Sequence, residues 1–188
     1  MRYSLCNNWE FTPSWFDGFA HGEGSGEQVR IPHNVTEMPL HYSDHEAYQM
    51  VCGYRYRLTV DEALRGQRQF LQFDGAAHIA PVYVNGTELT PHRCGYTAFR
   101  VDITGQVRCG EENIIAVKLD TTENPEVPPF GFVIDYLTYG GIYREVWLES
   151  KNERHIEDLY LTTPDLTTLK VQVTAVNADG CIYRTEIL

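Results

Sequence analysis

Apolar and polar side chains alternate residue by residue in the chain's main apolar segments, and a helical period is nearly absent. Tyr54, Tyr56, Leu58 and Val60 alternate with Arg55, Arg57 and Thr59. That is the period of a strand with one buried face. Phe99, Val101 and Ile103 repeat the pattern, as do Ile115, Val117 and Leu119, and Leu169, Val171 and Val173. Phe70, Leu71 and Phe73 make a short apolar strand ended by Asp74-Gly75. Val82 to Val84 runs into Asn85-Gly86, whose residues both tolerate the positive φ of a type I′ hairpin turn. Residues 61–67 and 45–50 have room for a single helical turn each. Strands separated by Gly, Pro and Asn turns predict an all-β sandwich of the jelly-roll kind. The missing strand-helix alternation excludes a (β/α)₈ barrel and a nucleotide-binding sheet.

The 188 residues suffice for one domain and part of a second. Two boundaries are expected. Residues 121–130 carry Pro125, Pro128 and Pro129, which lack the N–H that a central strand needs, so this stretch is a loop inside the first domain. Residues 142–148 then supply another strand. Residues 151–154 are polar and read as a linker. The expected domains are 1–150, a jelly roll, and 151–188, the start of a second sandwich. The strands expected after the linker, at 156–161, 169–176 and 182–188, are too few to close a sandwich of about 7 strands. The chain is therefore expected to be a piece of a longer protein.

Charge removes several classes of partner. With 15 basic and 26 acidic residues the net charge is −11, which repels phosphate backbones and anionic lipid, so neither nucleic acid nor a membrane surface is expected. No apolar run approaches the ~20 residues of a membrane-spanning helix, and the first residues lack the apolar stretch of a secretory signal. The five cysteines have no CxxC spacing and an odd count, which predicts free thiols and a cytoplasmic setting.

The segment 135–148 carries most of the functional information. Asp135 precedes two tyrosines, Tyr136 and Tyr139, then the bend Gly140-Gly141, then Arg144. A carboxylate accepts hydrogen bonds from sugar hydroxyls while aromatic rings cover apolar sugar faces. Each residue also has a plainer role open to it. Asp135 can cap a turn, and Arg144 can pair with a carboxylate across the sheet. Tyr136 and Tyr139 can pack in the core, where Trp9 and Trp147 are expected. His41 and His45 flank a short acidic loop, but Pro39 argues against the helix that an i,i+4 zinc pair requires. Cys94 near His92 is an improbable nucleophile pair because of the intervening Arg and turn. The glycines at 22, 24 and 26 have no Lys-Ser/Thr after them and make a flexible loop rather than a phosphate cradle. Asp44 and Glu46 read as surface charge.

A series of motifs, in order along the first domain, resembles the N-terminal sugar-binding domain of glycoside hydrolase family 2, the β-galactosidases, β-glucuronidases and β-mannosidases. These are Trp9-Glu10-Phe11, then Val29-Arg30-Ile31-Pro32-His33-Asn34, then Gly53-Tyr54-Arg55-Tyr56. Leu71-Gln72-Phe73-Asp74-Gly75 and Val82-Tyr83-Val84-Asn85-Gly86 follow. After them come Cys94-Gly95-Tyr96-Thr97-Ala98-Phe99-Arg100-Val101-Asp102-Ile103-Thr104 and Gly110-Glu111-Glu112-Asn113 with Ile115-Ala116-Val117. The last is Gly140-Gly141-Ile142-Tyr143-Arg144-Glu145-Val146-Trp147-Leu148, in which Glu145 stands where Asp is usual. The tail from Ile156 resembles the start of the family's immunoglobulin-like domain.

The resemblance implies a part of a retaining β-glycosidase. Such an enzyme uses two carboxyl groups about 5–5.5 Å apart, here expected on a separate barrel of about 250 residues. No catalytic residue is then expected in this chain, which would be inert alone. Asp135 matches a residue that touches substrate hydroxyls and in some members helps hold sodium. Tyr136, Tyr139 and Arg144 complete the expected substrate-binding set. No cofactor is implied, apart from a possible sodium or magnesium ion in the full-length enzyme. The implied partner is a β-galactoside or a related sugar, and the full-length enzyme is expected to be a homo-oligomer. The Thr138-Tyr139-Gly140-Gly141 form leans towards galactosidases. A free-standing carbohydrate-binding module and an adhesion sandwich without a sugar role are the alternatives.

Overall fold

The structure, a computed structural model, describes residues 1–37, 44, 46–89, 91–128, 130, 139–182, 184 and 186. The alternating segments become strands: β1 Arg2–Ser4, β2 Trp9–Thr12, β3 Glu27–Val29, β4 Val51–Thr59, β5 Arg68–Phe73, β6 Ile79–Ala80 and β7 Val82–Val84. They continue with β8 Thr87–Glu88, β9 His92–Arg93, β10 Phe99–Asp102, β11 Glu112–Asp120, β12 Val146–Lys151, β13 His155–Thr162 and β14 Lys170–Val176. The chain is an all-β sandwich. One sheet runs β1-β12-β5-β10 and the larger runs β3-β2-β4-β11-β6-β9, with β7 on β11 and β8 on β7. From β4 to β12 the chain passes back and forth between the two sheets. β13 and β14 form a separate two-stranded ribbon.

The core lies between the sheets. Tyr54, Leu58, Ile115, Val117 and Leu119 of the larger sheet face Leu71, Phe73, Val146 and Leu148 of the smaller one. β4 and β11 pair from Val51↔Asp120 to Thr59↔Glu112 without a slip, because a one-residue shift would turn the buried face outward. Asn85 and Gly86 turn with φ of 51° and 82°, the hairpin expected from their chemistry. Residues 62–64 form one 3₁₀ turn capped by the Asp61 carboxylate, and 46–48 form a turn.

Several expectations need correcting. The strand expected from Ile142 begins at Val146, because residues 141–145 are held by loops instead of a sheet. Gly141 bridges Ala77, and the Glu145 carbonyl accepts the Asp74 N–H at 2.9 Å. Trp147 is not core. It is half-buried on the outer face of the small sheet, donating Nε1–H to Asp74 at 2.9 Å beneath the Arg2 guanidinium, 4.1 Å away. Trp9 is fully buried as expected.

Arg55, on the polar side of its strand's alternation, is also fully buried. The 3₁₀ turn Asp17–His21 folds over it. Its guanidinium donates to the carbonyls of Phe19 (3.3 Å), Glu23 (2.8 Å) and Gly24 (3.0 Å), pairs with Glu10, and lies 4.1 Å from the Phe19 ring centroid. At this point both faces of the larger sheet are covered.

The polar stretch at 151–154 contains the end of β12 at Lys151 and a bend before β13. The strand expected at 182–188 has no assigned element among its described residues.

Candidate functional site

The bend Gly140-Gly141 organises one end of the sandwich. The Asn34 Oδ1 accepts the Gly140 N–H at 3.1 Å, and the Gly140 carbonyl accepts the Val35 N–H at 2.9 Å. The next carbonyl, Gly141, accepts Ala77 N–H at 3.0 Å, and the Ile142 carbonyl accepts His33 N–H at 2.8 Å. The bend is thus laced between the 33–35 and 77 loops, which explains why two glycines stand here. A Cβ on Gly140 would fall 2.6 Å from the Thr121 Cβ. One on Gly141, at φ 129°, would fall 2.3 Å from the His33 carbonyl oxygen.

His33 and Tyr54 complete the lacing. The Tyr54 hydroxyl sits 2.8 Å from His33 Nδ1. Burial pushes the Tyr54 phenol well above its usual range and holds His33 below the ordinary histidine value. A neutral phenol and a neutral imidazole fit that arrangement: the phenol donates and Nδ1 accepts.

Where β11 leaves the sheet, Asp120 accepts the Thr122 N–H (2.9 Å) and hydroxyl (2.6 Å). Thr121 ties in the 48–50 loop, accepting the Met50 N–H at 3.0 Å. The Glu123 carboxylate accepts the hydroxyl of the buried Tyr48 at 2.8 Å. His78, almost wholly buried, has Nδ1 3.3 Å from the Thr122 carbonyl, while Nε2 has no hydrogen-bond partner among the described residues. Burial lowers its pKa, keeping it neutral.

The expected site residues distribute unevenly. Asp135 and Tyr136 lie outside the described residues, as do His41 and His45. Tyr139 is 38% exposed and is not a core residue. It packs edge-on against Tyr143, centroids 4.8 Å apart. Arg144 is exposed and 5.3 Å from the Tyr143 ring centroid, and among the described residues it makes no ion pair. Tyr143 reaches across the end of the sandwich, its hydroxyl donating to the Gly95 carbonyl at 2.6 Å. His92 Nε2 is 3.0 Å from the Thr97 hydroxyl. All five cysteines are free thiols.

Sequence reasoning missed Glu123, Tyr48 and His78. Their neighbours are set by loop closure over 75 or 44 residues, which no local period encodes. The Pro32-His33-Asn34 motif and the Gly140-Gly141 bend were the parts of the clamp that the sequence signalled. Among the described residues no group of three His, Cys, Asp or Glu side chains could hold a metal ion. The sodium contact implied by resemblance falls on Asp135, outside the described residues.

Residues 19–152 match the family described as glycosyl hydrolases family 2, sugar binding domain, and the chain belongs to that family. It is 38% identical over 173 residues to a β-galactosidase of Thermoanaerobacter pseudethanolicus, covering 90% of this chain and 23% of that protein. It is 32% identical over 178 residues to a β-glucuronidase of Bacteroides fragilis, covering 94% and 24%. The crystal structure of a glycosyl hydrolase family 2 member from Bacteroides cellulosilyticus superposes with a TM-score of 0.76 at 28% identity, over 93% of this chain and 25% of that one. A Bacteroides uniformis β-glucuronidase at 23% identity has the same fold, with a TM-score of 0.82 over 95% and 22%. The chain spans about a quarter of the length of the curated relatives it matches.

Proposed function

We propose that this chain is the sugar-binding portion of a retaining β-glycosidase, that it frames the active site without supplying the catalytic carboxylates, and that the whole protein acts on β-galactosides. The observation that carries this reading is the Gly140-Gly141 clamp. Three loops spend backbone hydrogen bonds and close packing on holding one bend, directly after the segment that holds Asp135 and Tyr136. Function placed on a loop needs such a rigid support. The galactoside preference is supported by the 38% and 37% identities to β-galactosidases, against 32% to the B. fragilis β-glucuronidase. Asp135 grips substrate hydroxyls, with Tyr136, Tyr139 and Arg144 beside it. The two-stranded ribbon begins a second domain, and the assembled enzyme is a cytoplasmic homo-oligomer.

The test is Asp135→Ala in the full-length protein, assayed on nitrophenyl β-galactoside and β-glucuronide. The expected loss in kcat/KM is about 2–4 kcal/mol of transition-state binding, the size of a charged hydrogen bond together with the group it leaves unpaired. It should fall on the galactoside. An unchanged kcat/KM removes Asp135 from the site, and turnover by the isolated 188 residues overturns the non-catalytic assignment.

A further inference from the structure

A cavity of about 610 Å³ opens at the end of the sandwich opposite the Gly140-Gly141 bend. β5 separates the two. Arg68 and Gln69 at its start line the cavity, and Asp74, just past its end, bonds to Glu145 beside the bend. At ~3.3 Å per residue the strand is about 17 Å long. The turn at 65–67 and the loop at 104–111 supply most of the wall, and Glu153 and Asn177 at the base of the ribbon supply the rest. The volume is in the range that holds a small ligand.

Three arginines line it, and each is already paired. Glu62 takes Arg65 through two bonds of 2.5 and 2.8 Å, Asp102 pairs with Arg68, and Glu111 lies 3.4 Å from Arg108. Arg65 also donates to the Cys109 carbonyl at 3.2 Å. Pairing neutralises these groups and fixes their directions. An anion entering here must displace a carboxylate, in a molecule of net charge −11. Neighbouring hydroxyls of a sugar need displace nothing. A guanidinium has five N–H donors and a carboxylate about four acceptor positions, so a paired set keeps both to spare, and a hydroxyl uses both.

Gln69 adds an unmet acceptor on the same wall. It is 1% exposed, and its Nε2 donates to the Leu64 carbonyl at 3.2 Å and to the Ser150 hydroxyl at 3.1 Å. Its Oε1 has no hydrogen-bond partner among the described residues. A buried acceptor left without a donor costs about 1–3 kcal/mol. A ligand hydroxyl in the cavity that Gln69 lines supplies the missing donor.

We propose that this cavity binds a neutral mono- or disaccharide, held by the paired groups of Arg65, Arg68 and Arg108 and by Gln69. Val107 and Cys109 give the apolar part of the wall. The site goes beyond the proposed glycosidase function and does not depend on it.

The experiment follows amide hydrogen exchange in the full-length protein on adding galactose, glucose, lactose or maltose, with inorganic phosphate as the anionic probe. Exchange in residues 65–69 and 104–111 is expected to slow several-fold with at least one sugar and to ignore phosphate. Arg108 is 59% exposed, so Arg108→Ala spares the core. In that variant the sugar concentration giving half of the protection should rise about tenfold, the loss of one charged hydrogen bond. No protection of these residues by any of the sugars overturns the site. Protection that is unaltered in Arg108→Ala also overturns it, and protection by phosphate alone overturns the assignment to a neutral ligand. Protection confined to residues 139–143 puts the sugar at the bend and overturns the cavity. Turnover does not enter the readout, so failure here leaves the glycosidase reading untouched.

Discussion

Asn34 and Gly140, far apart in sequence, are joined by a 3.1 Å hydrogen bond from the Gly140 N–H to the Asn34 carboxamide oxygen. The same asparagine donates to the Thr36 carbonyl at 2.7 Å, so its amide is fixed at both ends. This bond fixes the start of the bend on which the candidate site rests. Asn34→Ala strands a buried glycine N–H, and a loss of about 1–3 kcal/mol is expected from an unsatisfied donor. Denaturant unfolding of the isolated chain measures it. A loss below that range means solvent reaches the N–H.

Gly141→Ala tests the other half of the clamp. The new Cβ meets the His33 carbonyl oxygen at 2.3 Å and imposes φ of 129° on an L residue. A strained conformation of this kind costs about 1–3 kcal/mol. At roughly 2–4 °C per kcal/mol for a chain of this size, the midpoint of thermal unfolding should fall by several degrees. Gly66 is the control. It also has a positive φ, 81°, but nothing lies within 4 Å of its Cβ direction, so Gly66→Ala should cost only the backbone part.

How far the sequence disclosed this structure depends on the range of the interactions. β4, β11 and the Asn85-Gly86 hairpin are legible because side-chain alternation and turn chemistry act within a few residues. Arg55 shows the limit. Its place in the alternation assigns it to the exposed face, yet a segment 31–36 residues upstream covers it and supplies three carbonyls. The strand that starts at Val146 rather than Ile142 has the same cause, since distant loops claim the hydrogen-bonding groups of 140–142. Within the site, the need for two glycines was readable, but the residues that crowd them were not.

Arg55→Met should be among the most destabilising substitutions on the larger sheet. Removing the guanidinium leaves Glu10, 14% exposed, without its main cation and takes the donor away from three carbonyls. Breaking a buried ion pair from one side costs about 3–5 kcal/mol. Arg57, 45% exposed, is the comparison, and Arg57→Met should change stability by less than about 1 kcal/mol. Similar effects from both would mean that the 3₁₀ turn does not seal Arg55 from water.

The buried histidines predict a pH dependence. Burial lowers the pKa of His78, and likewise of the half-buried His33, from the ordinary 6.5. The unfolded chain therefore binds protons that the folded chain resists. The stability they contribute is complete above pH 6.5 and is lost as the pH falls below it, until the folded-state pKa is reached. Each fully buried histidine adds at most about 1.4 kcal/mol per pH unit in that window. His78→Gln should flatten the slope of unfolding free energy between pH 7 and 5. Asp102, whose carboxyl pKa is lowered by hydrogen bonds from Thr104 and by Arg68 against the opposing effect of burial, acts only at lower pH, so the two windows separate.

Glu157 is the ionic link between the ribbon and the sandwich. Its carboxylate pairs with Arg100 and with Lys151 at 3.3 Å, and His155 Nε2 of the same strand lies 3.0 Å away, while Arg100 lies 4.6 Å from the Phe70 ring centroid. At 27% exposure the carboxylate remains partly solvated, so each pair is worth no more than about 1 kcal/mol. That is too little to unfold the sandwich but enough to change how firmly β13 is held. Glu157→Gln should leave the main unfolding transition in place while amide exchange in residues 155–162 accelerates several-fold. High salt applied to the unmodified chain should have the same effect, because it screens partly exposed charges. If exchange in the ribbon is indifferent to both changes, β13 is held by its pairing with β14 and by Phe70 rather than by charge.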